Sequence, residues 1–324
     1  MRYAMAAAKP GGSDVIRKIE LASMSPSAEE VLIRHEAIGL NFLDIYIRNG
    51  AYPWPVETDL VLGSEGAGVI EAVGSNVEGF AVGDRVGYTL ANGAYASHRL
   101  IDAGYVVKLP NDVSSELAAA IMLKGLTVAY LIHDSFKVEA GHAVLFHAAA
   151  GGVGLIAGQW LNVLGAKVIG TAGGADKCAL AKANGYHHVI DYKSADFEAE
   201  VMQLTDGKGV DVTYDSVGND TMARSLTSTR RHGTIIAFGQ SSGPYLDFKI
   251  TDLAKGSYKL SRPTLFHFVA AREWLEANAA KLFTAVTDGT LNISINQKYL
   301  LEDVAKAHDA LTCRATTGST IFTV

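Results

Sequence analysis

The chain has 324 residues, 48% of them apolar and 19% charged, with a formal net charge of −6. That length exceeds one ordinary core, so two domains of roughly 100–200 residues each are expected. The acidic balance and the lack of a Lys/Arg stripe argue against a surface built for phosphodiester chains, and the composition suits a soluble globular protein.

The N-terminus, Met1-Arg2-Tyr3-Ala4-Met5, runs into a segment holding Lys9, Asp14, Arg17 and Lys18. It lacks the uninterrupted apolar stretch of a secretory signal. The longest apolar run, residues 143–157, is broken by His147 and a glycine cluster and is short for a bilayer span, so a cytoplasmic protein is expected. The two cysteines, Cys178 and Cys313, have no paired spacing for a metal or a disulfide framework and read as inert thiols.

Over the first 120 or so residues, glycines punctuate short alternating runs such as Glu30-Val31-Leu32-Ile33-Arg34 and Gly68-Val69-Ile70-Glu71-Ala72-Val73. These are strand signals, and the region reads as an irregular, mostly β domain. After about Glu116 the texture changes. Residues 143–146, 167–170, 188–190, 210–214 and 234–238 are short apolar runs separated by helical stretches, the pattern of a parallel sheet covered on both faces.

The helix after the first run can be counted. Val153, Ile156, Ala157, Trp160, Leu161 and Leu164 draw one apolar stripe, and Gly165 supplies a stop. A second helix is predicted over about 176–184, ending at Gly185. Beyond roughly Pro263 the alternation ends, and residues 291–295 and 319–324 read as strands that return to complete the first domain. The expected division is 1–122 with 264–324, and 123–263.

The strand at 143–146 is followed by His147-Ala148-Ala149-Ala150-Gly151-Gly152-Val153-Gly154 and then by the striped helix. Strand, glycine turn and helix in that order make a dinucleotide site. Backbone N–H groups and the positive helix end face a pyrophosphate, which a side chain at the near glycine would block. In the G-x-G-x-x-G frame Ala149 takes the first place, and Gly151 and Gly154 keep the other two.

An NAD-selective site places a carboxylate at the end of the next strand to hold the adenosine ribose. Here that place reads Gly170-Thr171-Ala172-Gly173-Gly174. A 2′-phosphate meets no repulsion, Lys177 can neutralise it, and Tyr192 can add a hydroxyl donor, so NADPH is the expected cofactor. Asp176 is read as a helix N-cap rather than a ribose ligand.

With the glycine turn in place, the whole chain resembles the quinone oxidoreductases, the zeta-crystallin-like, zinc-free branch of the medium-chain dehydrogenase/reductase superfamily. The matching stretches are residues 37–44, 63–68, 124–127, 147–154, 214–218, 238–243 and 314–316, and they span both expected domains in order. The resemblance implies an α/β protein: a GroES-like, mostly β catalytic domain with a Rossmann doubly wound parallel-sheet domain inserted in it, NADPH, and a homodimer. The related alcohol dehydrogenases hold a catalytic zinc; here Ser64 stands at their His, the place of their first Cys falls near Leu40-Asn41, and the cysteine lobe is absent. Glu65 alone cannot make a zinc site, so the resemblance implies no metal.

Without a Lewis acid, alcohols become poor substrates, and a quinone or enone, which takes hydride readily, is the expected acceptor. The resemblance carries Asn41, Asp44, Lys124 and Thr127 onto the nicotinamide and its ribose, and Tyr46 and Tyr52 onto the substrate side. It carries Gly173, Lys177, Tyr192, Ser216, Phe238, Ser241 and Arg314 onto the cofactor, beside the turn residues Ala149, Gly151, Gly152, Val153 and Gly154. Proton delivery is assigned to Tyr46 or water. The bland readings are aromatic packing for the tyrosines, an Asp44–Lys124 structural ion pair, and a structural Glu65. The same branch includes lens structural proteins and binders of AU-rich RNA, a reading that the acidity counts against.

Overall fold

A computed structural model describes residues 2–324. By internal contacts the chain divides into two units: the N-terminal part through Leu126 with Phe266–Thr287 and Ile293–Val324, and Thr127–Leu265 with Asp288–Asn292. The first unit thus keeps residues 123–126, Lys124 among them, which the sequence reading gave to the inserted domain. The short stretch Asp288–Asn292 goes the other way.

The second unit carries a six-stranded sheet. Its strands are β1 (Ala143–Phe146), β2 (Lys167–Ala172), β3 (His188–Asp191), β4 (Val210–Asp215), β5 (Thr229–Ala237) and β6 (Lys259–Ser261). All neighbours are parallel, in the order β3-β2-β1-β4-β5-β6. This is the Rossmann order, and it reverses between β1 and β4, where such sheets bind dinucleotides at the carboxyl ends of the strands. The apolar stripe folds as the helix Gly152–Val163, with Ile156, Ala157, Trp160 and Leu161 buried, and Gly165 leaves it at φ 75°. The second helix runs Ala175–Lys182. Its N-cap is Gly174, so Asp176 lies in the first turn rather than at the cap. Gly174 takes φ 97°, a conformation open to glycine without strain.

The first unit is a seven-stranded sheet built around the long strand Glu30–Gly39, with a three-stranded sheet beside it. The C-terminal strand Ser319–Thr323 pairs antiparallel with Glu30–Gly39. A cluster including Ile33, Ile38, Ile70, Tyr88, Tyr95 and Phe322 forms the core, each large apolar side chain contributing roughly 1.5–3 kcal/mol on burial. The strand expected at 291–295 forms instead over Ile295–Leu300, where it pairs in parallel with the C-terminal strand Ser319–Thr323. Three helices between Leu265 and Thr312 follow the β-rich pattern without announcing themselves.

One helical stretch, Ser115–Ser135, is long and apolar enough to cross a membrane by length and composition. The sequence reading gave the longest apolar run to residues 143–157; this helix is longer, and 89% of its apolar window is buried inside the protein, as in a core helix.

Candidate active site and nucleotide turn

In the first unit, Asn41 precedes the helix Phe42–Arg48. Its backbone N–H donates to Asp44 Oδ2 at 2.9 Å, the reach-back arm of a capping box. Its side-chain Nδ2 donates to Glu65 Oε1 at 2.8 Å. Lys124 Nζ reaches the same oxygen at 2.7 Å, and the backbone N–H of Leu123 donates to Glu65 Oε2 at 2.7 Å. The ionic partner of Lys124 is therefore Glu65 and not Asp44. The sheet dictates this choice: Glu65 opens the strand Glu65–Val73 and pairs with Gly39, which directs its carboxylate toward Lys124.

Asp44 is fully enclosed. It accepts from Ser64 Oγ at 2.6 Å and from Tyr95 Oη at 2.9 Å as well as from Asn41. Burial pushes its carboxyl up to about 6, against the pull of those three donors. Tyr46, on the same helix, stacks 5.4 Å from Tyr52 and 6.1 Å from Phe42, and the backbone N–H of Tyr52 donates to Tyr46 O. The two tyrosines thus form one aromatic cluster with Phe42. Arg314 also belongs to the first unit, exposed, at φ 58° just beyond the helix Val304–Thr312.

In the second unit the glycine turn has the geometry its sequence demands. Ala149 is buried, and its N–H donates to Thr171 O. A Cβ on Gly154 would stand 2.4 Å from Ala148 O, whereas one on Gly151 would meet only that oxygen, at 3.3 Å. Gly154 therefore serves packing, and Gly151 leaves open backbone at the helix start, where Gly152 and Val153 present N–H groups. Ala149 fits the first place because the neighbouring strand offers Gly170: a Cβ there would come 2.7 Å from Ala149 Cβ.

At the end of β2, Gly173 backs on Tyr192, whose hydroxyl would lie 2.5 Å from an added Cβ. Gly174 N–H is held by Asp191 Oδ1 at 2.9 Å, and Lys177 lies half-buried in the first turn of the following helix. Ser216, Phe238 and Ser241 meet at the ends of β4 and β5, where Ser241 N–H donates to Ser216 O and Phe238 N–H to Asp215 O. Thr127 is buried in the helix that begins at Ser115.

Sequence reasoning gave no role in the site to His147 or Asp215. Both join one buried network. His147 bonds to Thr171 Oγ1 and Ser225 Oγ, and Ser225 donates to Asp215, which also holds the N–H groups of Val217 and Gly218. This network ties the ends of β1, β2 and β4 together around the switch point. Its sequence signal is the position of His147, Thr171 and Asp215 at strand ends; Ser225, within the helix Met222–Ser228, gives none.

Among the described residues no group of three or more His, Cys, Asp and Glu side chains could hold a metal. The residues at the zinc-ligand places do not fit one: Ser64 is committed to Asp44, and Glu65 is neutralised by Lys124.

The model of the alcohol dehydrogenase GroES-like domain matches residues 27–111, and that of the zinc-binding dehydrogenase domain matches 152–280. The chain is 44% identical to a quinone oxidoreductase of Pseudomonas aeruginosa over 96% of each protein. It is 41% identical to a 2-haloacrylate reductase of a Burkholderia species, over 97% of this chain and 96% of the relative. The solved structure of Escherichia coli quinone oxidoreductase complexed with NADPH superposes with a TM-score of 0.97 at 41% identity, covering 99% of this chain and 100% of that one.

Proposed function

The chain belongs to the quinone oxidoreductase family of medium-chain dehydrogenases/reductases, and from that premise we propose that it reduces quinones with NADPH, without a metal. The observation that carries the cofactor choice is the end of β2, where residues 170–174 carry no carboxylate, the neighbouring Asp191 is taken up by Gly174 N–H, and Lys177 lies in the first turn of the helix that follows. A 2′-phosphate placed there gains a cation and the positive end of a helix.

The dinucleotide, when bound, supplies the hydride. The protein's part is to bind, orient and supply a proton. Backbone N–H groups of Gly152, Val153 and Gly154, with Ala149 behind them, receive the pyrophosphate, while Gly151 N–H closes the turn on Ala148 O. Gly173, Lys177 and Tyr192 take the adenosine phosphate end, while Ser216, Phe238, Ser241 and Arg314 line the rest of the cofactor. Asn41, Lys124 and Thr127 orient the nicotinamide and its ribose, and Asp44 fixes Asn41 from behind. Tyr46 and Tyr52 form an aromatic wall for a flat acceptor, and Tyr46 Oη, or water, protonates the reduced anion.

Metal independence rests on the donor set: with Glu65 paired to Lys124 and a serine at the His place, no Lewis acid site is built. The domain roles follow the same reading, with the first unit catalytic and the second, Thr127–Leu265 with Asp288–Asn292, nucleotide-binding. So does a cytoplasmic homodimer, which light scattering of the purified protein tests.

An enone or enal reductase is the second reading, favoured by the relative named a 2-haloacrylate reductase. Measuring kcat/KM for benzoquinone and for an α,β-unsaturated aldehyde with NADPH separates the two. Higher efficiency with the quinone is expected. Turnover of neither acceptor would remove both readings.

A further inference from the structure

Behind the proposed catalytic helix runs a buried chain of hydrogen bonds that no role above uses. Arg48 Nη1 lies 3.1 Å from His308 Nδ1, His308 Nε2 lies 2.9 Å from Tyr95 Oη, and Tyr95 Oη donates to Asp44 Oδ2 at 2.9 Å. All four residues are buried. The chain links the first helix to the helix Val304–Thr312, which carries His308, through the loop residue Tyr95.

The direction of every bond in it can be deduced. A guanidinium has no acceptor, so Arg48 must donate and His308 Nδ1 must accept. The imidazole, neutral in this enclosed site next to a cation, then carries its proton on Nε2 and donates to the Tyr95 oxygen. Tyr95 in turn has its own proton free for Asp44. Reversing any link would set two donors against each other, which a buried site tolerates poorly. The wire therefore runs one way, from cation to anion.

Asp44 in turn grips the backbone N–H of Asn41, whose side chain is held by Glu65. We propose that Arg48, His308 and Tyr95 are positioning residues of the reductase: a one-way hydrogen-bond wire that fixes the Asp44 carboxylate and, through it, the placement of Asn41. This rests on the reading of Asn41 as a nicotinamide contact. Other charged groups nearby are Glu65, which opposes ionisation of Asp44, and Asp14 and Asp309, which face Arg48.

Protonating Asp44 on Oδ2 would face it with the Tyr95 and Asn41 donors, so the wire resists protonation there. Activity of the wild type is expected to fall on the acid side near the Asp44 value of about 6. Removing a donor raises a carboxyl. In Tyr95→Phe the acid limb of kcat/KM should move to higher pH by about one unit, the order expected for one lost hydrogen bond, and in His308→Leu, where Tyr95 still donates to Asp44 but loses its own donor, it should move the same way by less. In His308→Gln the amide oxygen accepts from Arg48 and the amide N–H donates to Tyr95, so the limb should stay at the wild-type pH. Superimposable profiles in all three variants, or equal shifts in His308→Leu and His308→Gln, would overturn the wire.

A second measurement needs no turnover. Ring 15N NMR of the wild-type protein should find His308 as the neutral Nε2–H tautomer, untitrated down to about pH 5 given its burial-depressed value of about 3. A proton on Nδ1, or an ordinary titration, would sink the proposal. If the wild type fails to reduce quinones, the functional reading falls, and the tautomer still decides the wire.

Discussion

Lys124 Nζ sits 2.7 Å from Glu65 Oε1, with 6% of the lysine side chain and none of the glutamate exposed. Breaking a buried pair by removing one partner leaves an uncompensated charge, which costs about 3–5 kcal/mol, whereas removing both charges is often near neutral. Lys124→Met should therefore lower the free energy of unfolding by about that much, and Glu65→Gln by somewhat less, since Gln still accepts from Leu123 N–H. The double variant should recover most of the loss. Urea unfolding of the four proteins closes the cycle, and additive losses would show that the two charges do not couple.

Lys177→Ala should weaken NADPH by about 10–100-fold, the worth of one charged hydrogen bond, and leave NADH nearly unchanged. The two dissociation constants by calorimetry decide it. Equal loss for both cofactors would misplace the 2′-phosphate.

Much of the nucleotide-binding unit was legible because its signals are local. The stripe from Val153 to Leu164, the stop at Gly165 and the acid-free end of β2 all lie within a few residues of the features they specify. The first unit was less legible for the opposite reason. Glu65 meets Lys124 across 59 residues of sequence, and Tyr95 meets His308 across 213, so no spacing rule reveals either pair. The strand expected at 291–295 slipped to Ile295–Leu300 because a two-residue period continues through both segments, and only pairing with Ser319–Thr323 selects the register. Asp176 was misread as a cap because composition favours Asp there; the positive φ of Gly174 is invisible in sequence.

The two glycines of the turn should fail differently. A Cβ on Gly154 would press on backbone oxygens at 2.4 and 2.6 Å, so Gly154→Ala should cost about 1–3 kcal/mol of stability, as overpacking does. Gly151→Ala meets one atom at 3.3 Å and should keep the fold. Its methyl group, however, stands where the pyrophosphate approaches, and NADPH affinity should fall about tenfold or more. Thermal melts beside nucleotide titrations separate the two effects; an unstable Gly151→Ala with intact binding would reverse their roles.

His35 supplies a pH test of the first unit's core. Its Nδ1 faces Ala96 O at 2.6 Å, and a carbonyl only accepts, so the ring is the Nδ1–H tautomer and Nε2 accepts from Tyr88 Oη at 2.7 Å. Burial lowers its value from 6.5 to about 3. Below 6.5 the unfolded chain binds a proton that the folded ring refuses, so this contribution to stability is present above pH 6.5 and is lost as pH falls toward 3. The slope is about 1.4 kcal/mol per unit, or about 2 kcal/mol between pH 6.5 and pH 5. His308 acts with the same sign, whereas Asp44, raised to about 6, binds its proton first in the folded state and offsets part of the loss. Their sum blurs the wild-type curve, so the difference between proteins is the clean readout. His35→Gln, which cannot titrate, should show a fall in urea-unfolding free energy between pH 7 and pH 5 about 2 kcal/mol smaller than the wild type. Equal falls in the two proteins would mean that His35 takes up a proton inside the fold, and that the Tyr88–His35–Ala96 chain opens to water.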